Sequence, residues 1–374
     1  MEYRKMEKLG TNVSLLGFGC MRFPILEDGT IDEPLAEKMI DTAFAGGVNY
    51  YDTAYIYHEG VSETFTGRVL NKYDRSSYYI ATKLPCWEVH SPADAERLFQ
   101  EQLDRLDKKY IDFYLLHSLG TDSWNKMVDL GIIELCEKWK AEGKIRYFGF
   151  SFHDDYPVFE EIITARKWDF CQIQMNYMDT EEQAGMKGYH LTEKLGIPVI
   201  VMEPIKGSSL ADLPDDIIKV FKMLRPAASA ASWALRWAGS LPNVKVVLSG
   251  MSTMDQVIEN LRTFTFFKPV TKEDSKAIAE VTGSIRTLMK NGCTACKYCM
   301  PCPFGVDIPG NFHLWNEFGM FKNAGQMKWA WGNMIPDEKK AHNCTECGVC
   351  EDACPQKITI RADLKKVQME LDAL

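Results

Sequence analysis

A chain of 374 residues is too long for one small domain and fits a large domain joined to a small one. Hydrophobic residues make up 46 %, enough for a full core, and the formal net charge of −9 argues against nucleic acid or an anionic membrane as partner. No apolar run reaches the ~18 residues of a membrane span, and Met1-Glu2-Tyr3-Arg4-Lys5 lacks the apolar stretch of a secretory leader, so the sequence reads as a soluble, cytoplasmic protein in a reducing compartment.

From residue 14 onward, short apolar runs alternate with amphipathic stretches. The pattern predicts strands over 14–19, 48–51, 78–82, 111–116, 145–150, 171–175, 197–202 and 244–248. Between them it predicts a helix over 34–45, closed by Gly46-Gly47, and one that starts near Ser62 as N-cap. A third runs over 92–107, with Ala95, Leu98, Leu103 and Leu106 as its apolar stripe, and a fourth over 124–141, closed by Gly143. Helices over 156–166, 182–195, 225–238 and 254–263 complete the set. Eight strand–helix units in about 250 residues match a (β/α)8 TIM barrel. A doubly wound sheet is the alternative, but Gly17-Phe18-Gly19-Cys20-Met21 after the first strand is not the G-x-G-x-x-G turn such a sheet would carry. The expected organisation is a barrel over 1–270, a linker helix over 271–291, a small cysteine-rich domain over 292–360 and a helical tail over 361–374.

Eight of the twelve cysteines fall in two runs. Cys293, Cys296, Cys299 and Cys302 precede Pro303; Cys344, Cys347, Cys350 and Cys354 precede Pro355. The second run, C-x2-C-x2-C-x3-C-P, has the ligand spacing of bacterial ferredoxins, in which the fourth thiolate reaches a neighbouring cluster. Two runs therefore imply a ferredoxin-like domain with two [4Fe-4S] clusters. Cys293, Cys296, Cys299 and Cys354 would hold one, and Cys344, Cys347, Cys350 and Cys302 the other. The first run departs from the pattern by one residue before its last cysteine. Structural zinc is the competing reading, but zinc sites usually present their ligands as two pairs. Cys20, Cys86, Cys136 and Cys171 lie in apolar surroundings and read as core residues. The aromatics between the runs (Phe304, Phe312, Trp315, Phe318, Phe321, Trp329 and Trp331) read as a small core around the clusters, or as a surface over the active-site mouth or a partner-docking patch.

In a barrel, chemistry gathers where the strands end. Asp52 follows the second strand, with Tyr57 shortly after. Lys83 closes the third strand, His117 the fourth, Ser151 the fifth and Gln174 the sixth. Taken singly, each has an ordinary structural reading; taken in this order they form a specific set. Asp52-Thr53-Ala54-(x2)-Tyr57 is followed by Gly60-Val61-Ser62-Glu63 with Gly67, by Ala81-Thr82-Lys83, and by the strand ending in His117. Gly149-Phe150-Ser151, Gln174-Met175-Asn176-Tyr177 and Ser249-Gly250 with Asn260 come next. On these pieces, spread over roughly residues 5–265, the chain resembles the aldo-keto reductase superfamily, and with its cysteine module the iron–sulfur branch of it.

The resemblance implies carbonyl reduction with hydride from NADP(H) or NAD(H). Tyr57 is then the general acid, Lys83 the cation that lowers its pKa from about 10, Asp52 the group that orients Lys83, and His117 the group that orients the substrate oxygen. The resemblance also puts Ser151 and Gln174 on the nicotinamide carboxamide. Ser249, Gly250, Ser252, Gln256 and Asn260 would receive the adenosine end and its phosphates at a helix N-terminus, with Lys206 a further candidate for the phosphates. Three departures bear on the cofactor. Phe152 stands where many relatives carry Asn, and Met202-Glu203-Pro204 replaces the aromatic that stacks on the nicotinamide. Ser252-Thr253-Met254-Asp255 offers no cation for a 2′-phosphate, which leaves NADPH and NADH undecided. Met21, Arg22 and Trp87 are candidate pocket walls.

Two functions of different class follow. One is an oxidoreductase of a small carbonyl or alcohol, with clusters in an accessory role. The other is an electron-transfer protein that passes electrons between clusters, a redox partner and pyridine nucleotide. A flavin normally bridges that route, because hydride carries two electrons and a cluster one, and nothing in the sequence reads as a flavin motif. A non-catalytic binding barrel is a third reading, against which the complete tetrad counts.

Overall fold

The computed structural model describes residues 1–374, which form two compact units: Met1–Lys206 with Ala231–Thr271, and Gly207–Ala230 with Lys272–Leu374. The first unit opens with an antiparallel hairpin, β1 (Tyr3–Met6) and β2 (Thr11–Ser14), turned through Gly10 at φ 66°. Eight parallel strands follow: β3 (Leu16–Gly19), β4 (Tyr50–Asp52), β5 (Tyr79–Leu84), β6 (Ile111–Leu119), β7 (Ile145–Phe152), β8 (Phe170–Gln174), β9 (Val199–Met202) and β10 (Val244–Gly250). Each pairs with the next, and β10 returns to β3 with Val247 opposite Leu16, closing a TIM barrel. The hairpin is absent from the sequence reading, which merges residue 14 into the first barrel strand.

Alternation along each strand sends one set of side chains into the barrel and the other onto the helices. Tyr50, Ala81, Phe113, Leu115, Phe170, Ile200, Val246 and Leu248 fill the interior, joined by Met6 and Val13 of the hairpin. The hairpin covers the end at which the strands begin. The Ser14 N–H donates to Asn49, just before β4, and Tyr147 near the start of β7 donates to the Leu9 carbonyl. Cys20, Cys86, Cys136 and Cys171 are buried core residues, as expected.

The helices follow the sequence reading where local caps define them. Asp32 caps Glu33–Ala45 and Ser91 caps Pro92–Leu106, each accepting from a first-turn N–H and each followed by proline in the first turn. Tertiary context overrides that reading elsewhere. The helix expected over 124–141 is two, Thr121–Asp129 and Ile132–Ala141, separated at Gly131 with φ 67°. Ser62 is no N-cap: Val61–Leu70 starts after Gly60 at φ 90°, and the buried Ser62 hydroxyl bonds Thr53 and the Cys20 carbonyl. The helix expected over 182–195 begins at Gly185, and the one expected over 225–238 is Ala230–Gly239.

In the second unit a further helix, Asp215–Leu224, packs with Lys272–Arg286, and a two-pronged pair from Arg225 to Asp274 (3.0 and 2.9 Å) ties the segments together. Ile308–Phe321, Ala324–Asn333, Val349–Ala353 and Ile360–Asp372 build the rest. Val306, Ile308, Phe312, Trp315, Trp331, Ile360 and Val367 share its core. Trp329 lies outside it, 63 % exposed, and Phe304, 48 % exposed, lines the pocket of Cys302, Cys344, Cys347 and Cys350. No helix is long and apolar enough to cross a membrane.

Two helical glycines separate close packing from backbone entropy. A Cβ on Gly67 would stand 2.3 Å from the Leu106 carbonyl oxygen of the neighbouring helix, and backbone there cannot yield. A Cβ on Gly283 would meet nothing within 4 Å. Gly67→Ala is expected to destabilise by about 1–3 kcal/mol and Gly283→Ala to stabilise by roughly 0.5–1 kcal/mol, read from urea unfolding midpoints.

Candidate active site and cysteine cavities

Three strand ends and one turn bring Asp52, Tyr57, Lys83 and His117 together. Asp52 ends β4, Lys83 lies one residue from the end of β5, and His117 lies near the end of β6. Tyr57 stands in the turn after β4, where His58 and Glu59 both take left-handed conformations (φ 50° and 55°) that bend the chain sharply. His58 Nε2 accepts the Phe23 N–H at 3.2 Å and ties this turn to the loop after β3.

The Lys83 ammonium is 1 % exposed and uses all three of its donors. It donates to Asp52 Oδ1 at 2.7 Å, to the Thr53 carbonyl at 2.7 Å and to Tyr57 Oη at 3.4 Å. Because an ammonium cannot accept, Tyr57 Oη receives this bond and its own proton is left to point elsewhere. The rings of Tyr57 and His117 meet edge to face at 6.2 Å, and Trp87 lies 5.0 Å from His117. His117 Nδ1 and Asp52 Oδ2 are buried without a hydrogen-bond partner.

The electrostatics correct one expectation. Burial pushes the Tyr57 hydroxyl above its ordinary pKa; Lys83 pulls it down, but Asp52 adds to the rise and the net direction is up. The tyrosine holds its proton rather than approaching phenolate. Burial likewise raises Asp52 against the pull of Lys83, whereas for Lys83 burial is outweighed by Asp52 and Tyr57, so its pKa lies above the usual lysine value. These directions compete for one proton. The 2.7 Å contact and the two further acceptors around Nζ favour the ion pair, which is the state we assign. His117 is driven well below the usual histidine range by burial, with Lys83 and His153 adding to it, and is therefore neutral.

The residues expected at the cofactor are spread over four strand ends. Ser151 Oγ accepts the Ser118 N–H at 2.8 Å. The amide of Gln174 donates to Asp179 at 2.9 Å. Lys206 Nζ lies 2.9 Å from both oxygens of Asp179, a buried ion pair that the sequence reading did not contain. Asn260 donates to Ser249 Oγ at 3.0 Å, and Gln256 accepts the Ser252 N–H at 2.7 Å, ahead of the helix Met254–Thr265. Arg22 arrives here from the loop after β3. Its carbonyl accepts Ser252 Oγ at 2.8 Å, and its stem occupies the space a Cβ on Gly250 would need. This places a cation at a turn whose own sequence has none, through a contact 230 residues apart in the chain.

In the second unit the cysteines form two groups of four. Cys293, Cys296, Cys299 and Cys354 line one open pocket with Ile308, Pro309 and Phe312. Cys302, Cys344, Cys347 and Cys350 line another with Val306, Ile308 and Leu364. The fourth member of each group comes from the other run. Nowhere do three His, Cys, Asp or Glu side chains gather tightly enough to hold a single metal ion. Four thiols around an apolar cavity suit a cuboidal cluster, whose ligands stand further apart than those of one tetrahedral zinc.

Residues 15–282 match the aldo/keto reductase family, and residues 292–359 match the 4Fe-4S dicluster domain. The chain is 26 % identical to an uncharacterized oxidoreductase, YqkF, of Bacillus subtilis (strain 168), over 75 % of this chain and 97 % of that one. It is 26 % identical to L-galactose dehydrogenase of Arabidopsis thaliana, over 75 % of this chain and 93 % of that one. A solved aldo-keto reductase of Bacillus halodurans, in its holo form, superposes with a TM-score of 0.64 at 28 % identity, covering 75 % of this chain and 96 % of that one. With a closed parallel barrel and a family match over most of its length, this chain belongs to the aldo/keto reductase family of oxidoreductases, extended by a C-terminal 4Fe-4S dicluster domain.

Proposed function

We propose that the protein is an NAD(P)H-dependent carbonyl/alcohol oxidoreductase in which Tyr57 is the proton donor. The observation that carries this reading is the buried Lys83, bonded at once to Asp52 and to Tyr57 Oη beside a neutral His117. When bound, the nicotinamide supplies the hydride. The chain's own residues supply the proton and its direction. Lys83 occupies one lone pair of Tyr57 Oη, so the hydroxyl proton is free to lie on a substrate oxygen. His117, being neutral, has one ring N–H to offer that oxygen without adding a charge. As the Tyr57 proton leaves, the developing phenolate stays beside the Lys83 ammonium, a charge present before reaction and needing no rearrangement. Asp52 fixes Lys83 through the transfer. Ser151 and Gln174 are proposed at the carboxamide. Ser249, Gly250, Ser252, Gln256 and Asn260 are proposed at the adenosine end, with Arg22 as the cation facing the phosphates in place of Lys206.

We assign Cys293, Cys296, Cys299 and Cys354 to one [4Fe-4S] cluster and Cys302, Cys344, Cys347 and Cys350 to the other. The clusters, when bound, supply one-electron carriers. A second reading, electron exchange with a redox partner, has one observation in its favour: Cys296 and Cys347, one ligand of each group, are exposed.

Tyr57→Phe is expected to lower turnover of a carbonyl panel by at least ~10²-fold while cofactor affinity, read by fluorescence titration, changes little; retained turnover removes Tyr57 as the acid. With His117 neutral and Tyr57 raised, the rate should stay level through pH ~6.5 and fall only above the ordinary tyrosine pKa of about 10; a fall centred near ~6.5 would show His117 titrating as a free imidazole. Cys347→Ser should lose iron and acid-labile sulfide from one cluster, counted against the other by electron paramagnetic resonance after reduction. Anaerobic addition of NADPH or NADH to the intact protein decides between the readings. Unchanged cluster absorbance, with bleaching by dithionite, supports the accessory role; bleaching by either nucleotide supports electron transfer.

A further inference from the structure

We propose that the buried Asp179–Lys206 ion pair is a positioning device that fixes which way round the Gln174 amide lies, and so makes the site select a nicotinamide that carries a primary carboxamide. The inference rests on the placing of Gln174 at the carboxamide. Asp179 and Lys206 are 4 % and 8 % exposed, and Nζ reaches both carboxylate oxygens at 2.9 Å. Asp179 Oδ2 also accepts the side-chain amides of Gln174 and Asn176, each at 2.9 Å.

The chemistry of the acceptor decides the orientation. A side-chain amide is nearly the same shape either way round, and between neutral neighbours it can flip. A carboxylate only accepts, so the NH2 end of Gln174 must face Asp179 and its carbonyl Oε1 must face the other way. Asn176 is locked by the same logic: its NH2 meets Asp179 and its Oδ1 accepts the N–H groups of Met178 and Asp179, each at 3.0 Å. Lys206 compensates the charge that makes Asp179 an obligate acceptor. Its backbone and that of Glu203 are both left-handed (φ 51° and 54°), an uncommon conformation for side chains of this kind.

The outward Oε1 of Gln174 already meets the kind of donor it is proposed to recognise. Gln183 Nε2 donates to it at 2.5 Å. The donor is itself the NH2 of a primary amide, the same group that a nicotinamide carboxamide presents. The N–H of a nicotinamide carboxamide would take over the same bond and release Gln183. A cofactor whose carboxamide is replaced by an acetyl group has no N–H to offer and would leave Oε1 unpaired.

The test uses the full chain with verified iron content. Dissociation constants are measured for NADPH and NADH and for their 3-acetylpyridine counterparts. The wild type is expected to prefer the carboxamide form by roughly 5- to 100-fold. Asp179→Asn lets the Gln174 amide lie either way, and the preference is expected to fall to within about 3-fold. If Asp179→Asn does not fold, the double variant Asp179→Asn/Lys206→Met, which removes both charges, carries the same expectation. A wild type that discriminates and a variant that discriminates equally would overturn the positioning role alone. A wild type that binds both forms alike would overturn that role together with the placing of Gln174 on the carboxamide.

Discussion

A buried ammonium is the constraint on which the catalytic end of the barrel depends. Lys83 is taken out of water on β5 and could not remain charged there alone. Asp52 on the adjacent β4 compensates it, and the two can meet only if the parallel register holds, with Asp52 opposite Ala81 two residues before Lys83. A slip of one residue would turn one of them toward the helices. Barrel register and site geometry are thus a single requirement, and losing either partner would leave an uncompensated charge costing on the order of 3–5 kcal/mol.

The same pairing explains why Tyr57 is not driven toward phenolate. A free cation beside a phenol lowers its pKa, but Lys83 arrives with Asp52 attached, and Asp52 acts on Tyr57 in the opposite sense. What Tyr57 meets is closer to a dipole than to a charge, and burial settles the balance in favour of the proton. A group that keeps its proton until a substrate oxygen gains electron density meets what the proposed acid role asks of it, and no depressed pKa is needed for the resting state.

Features with a local or short-range cause were legible in the sequence. The eight barrel strands are apolar runs, the helices with Asp32 and Ser91 as caps start where those residues stand, and the cysteine spacing points to two groups of four. Features set by distant chain were not. Ser62 looks like a cap, yet the fold turns its hydroxyl to Cys20 and Thr53. The pairing of Lys206 with Asp179, 27 residues away, could not be read because Asp179 carries no motif. Arg22 reaches Gly250 and Ser252 through the closing contact of the barrel, which joins the first and last strands and leaves no trace in either segment. The hairpin β1–β2 is too short for periodicity to separate it from β3.

The cysteine groups show a further dependence of local geometry on something non-local. Ala295, Lys297, Glu346 and Lys357 all lie in the left-handed region, and all sit on the loops that present the cysteines. None is glycine, so each costs on the order of 1–2 kcal/mol relative to an ordinary conformation. These turns bring cysteines three residues apart onto one cavity, which an extended or helical loop would not do. Such a cost persists only where something larger offsets it, and thiolate–metal binding, which is also folding free energy in small metal domains, is of the right size. Cys354 and Cys302 extend the argument beyond the loops. Because each completes the group of the other run, neither group can assemble until the segment between the runs, with Ile308 common to both cavities, has folded back on itself. With the proposed cysteine assignment, cluster assembly and folding of this unit would be coupled through the exchange.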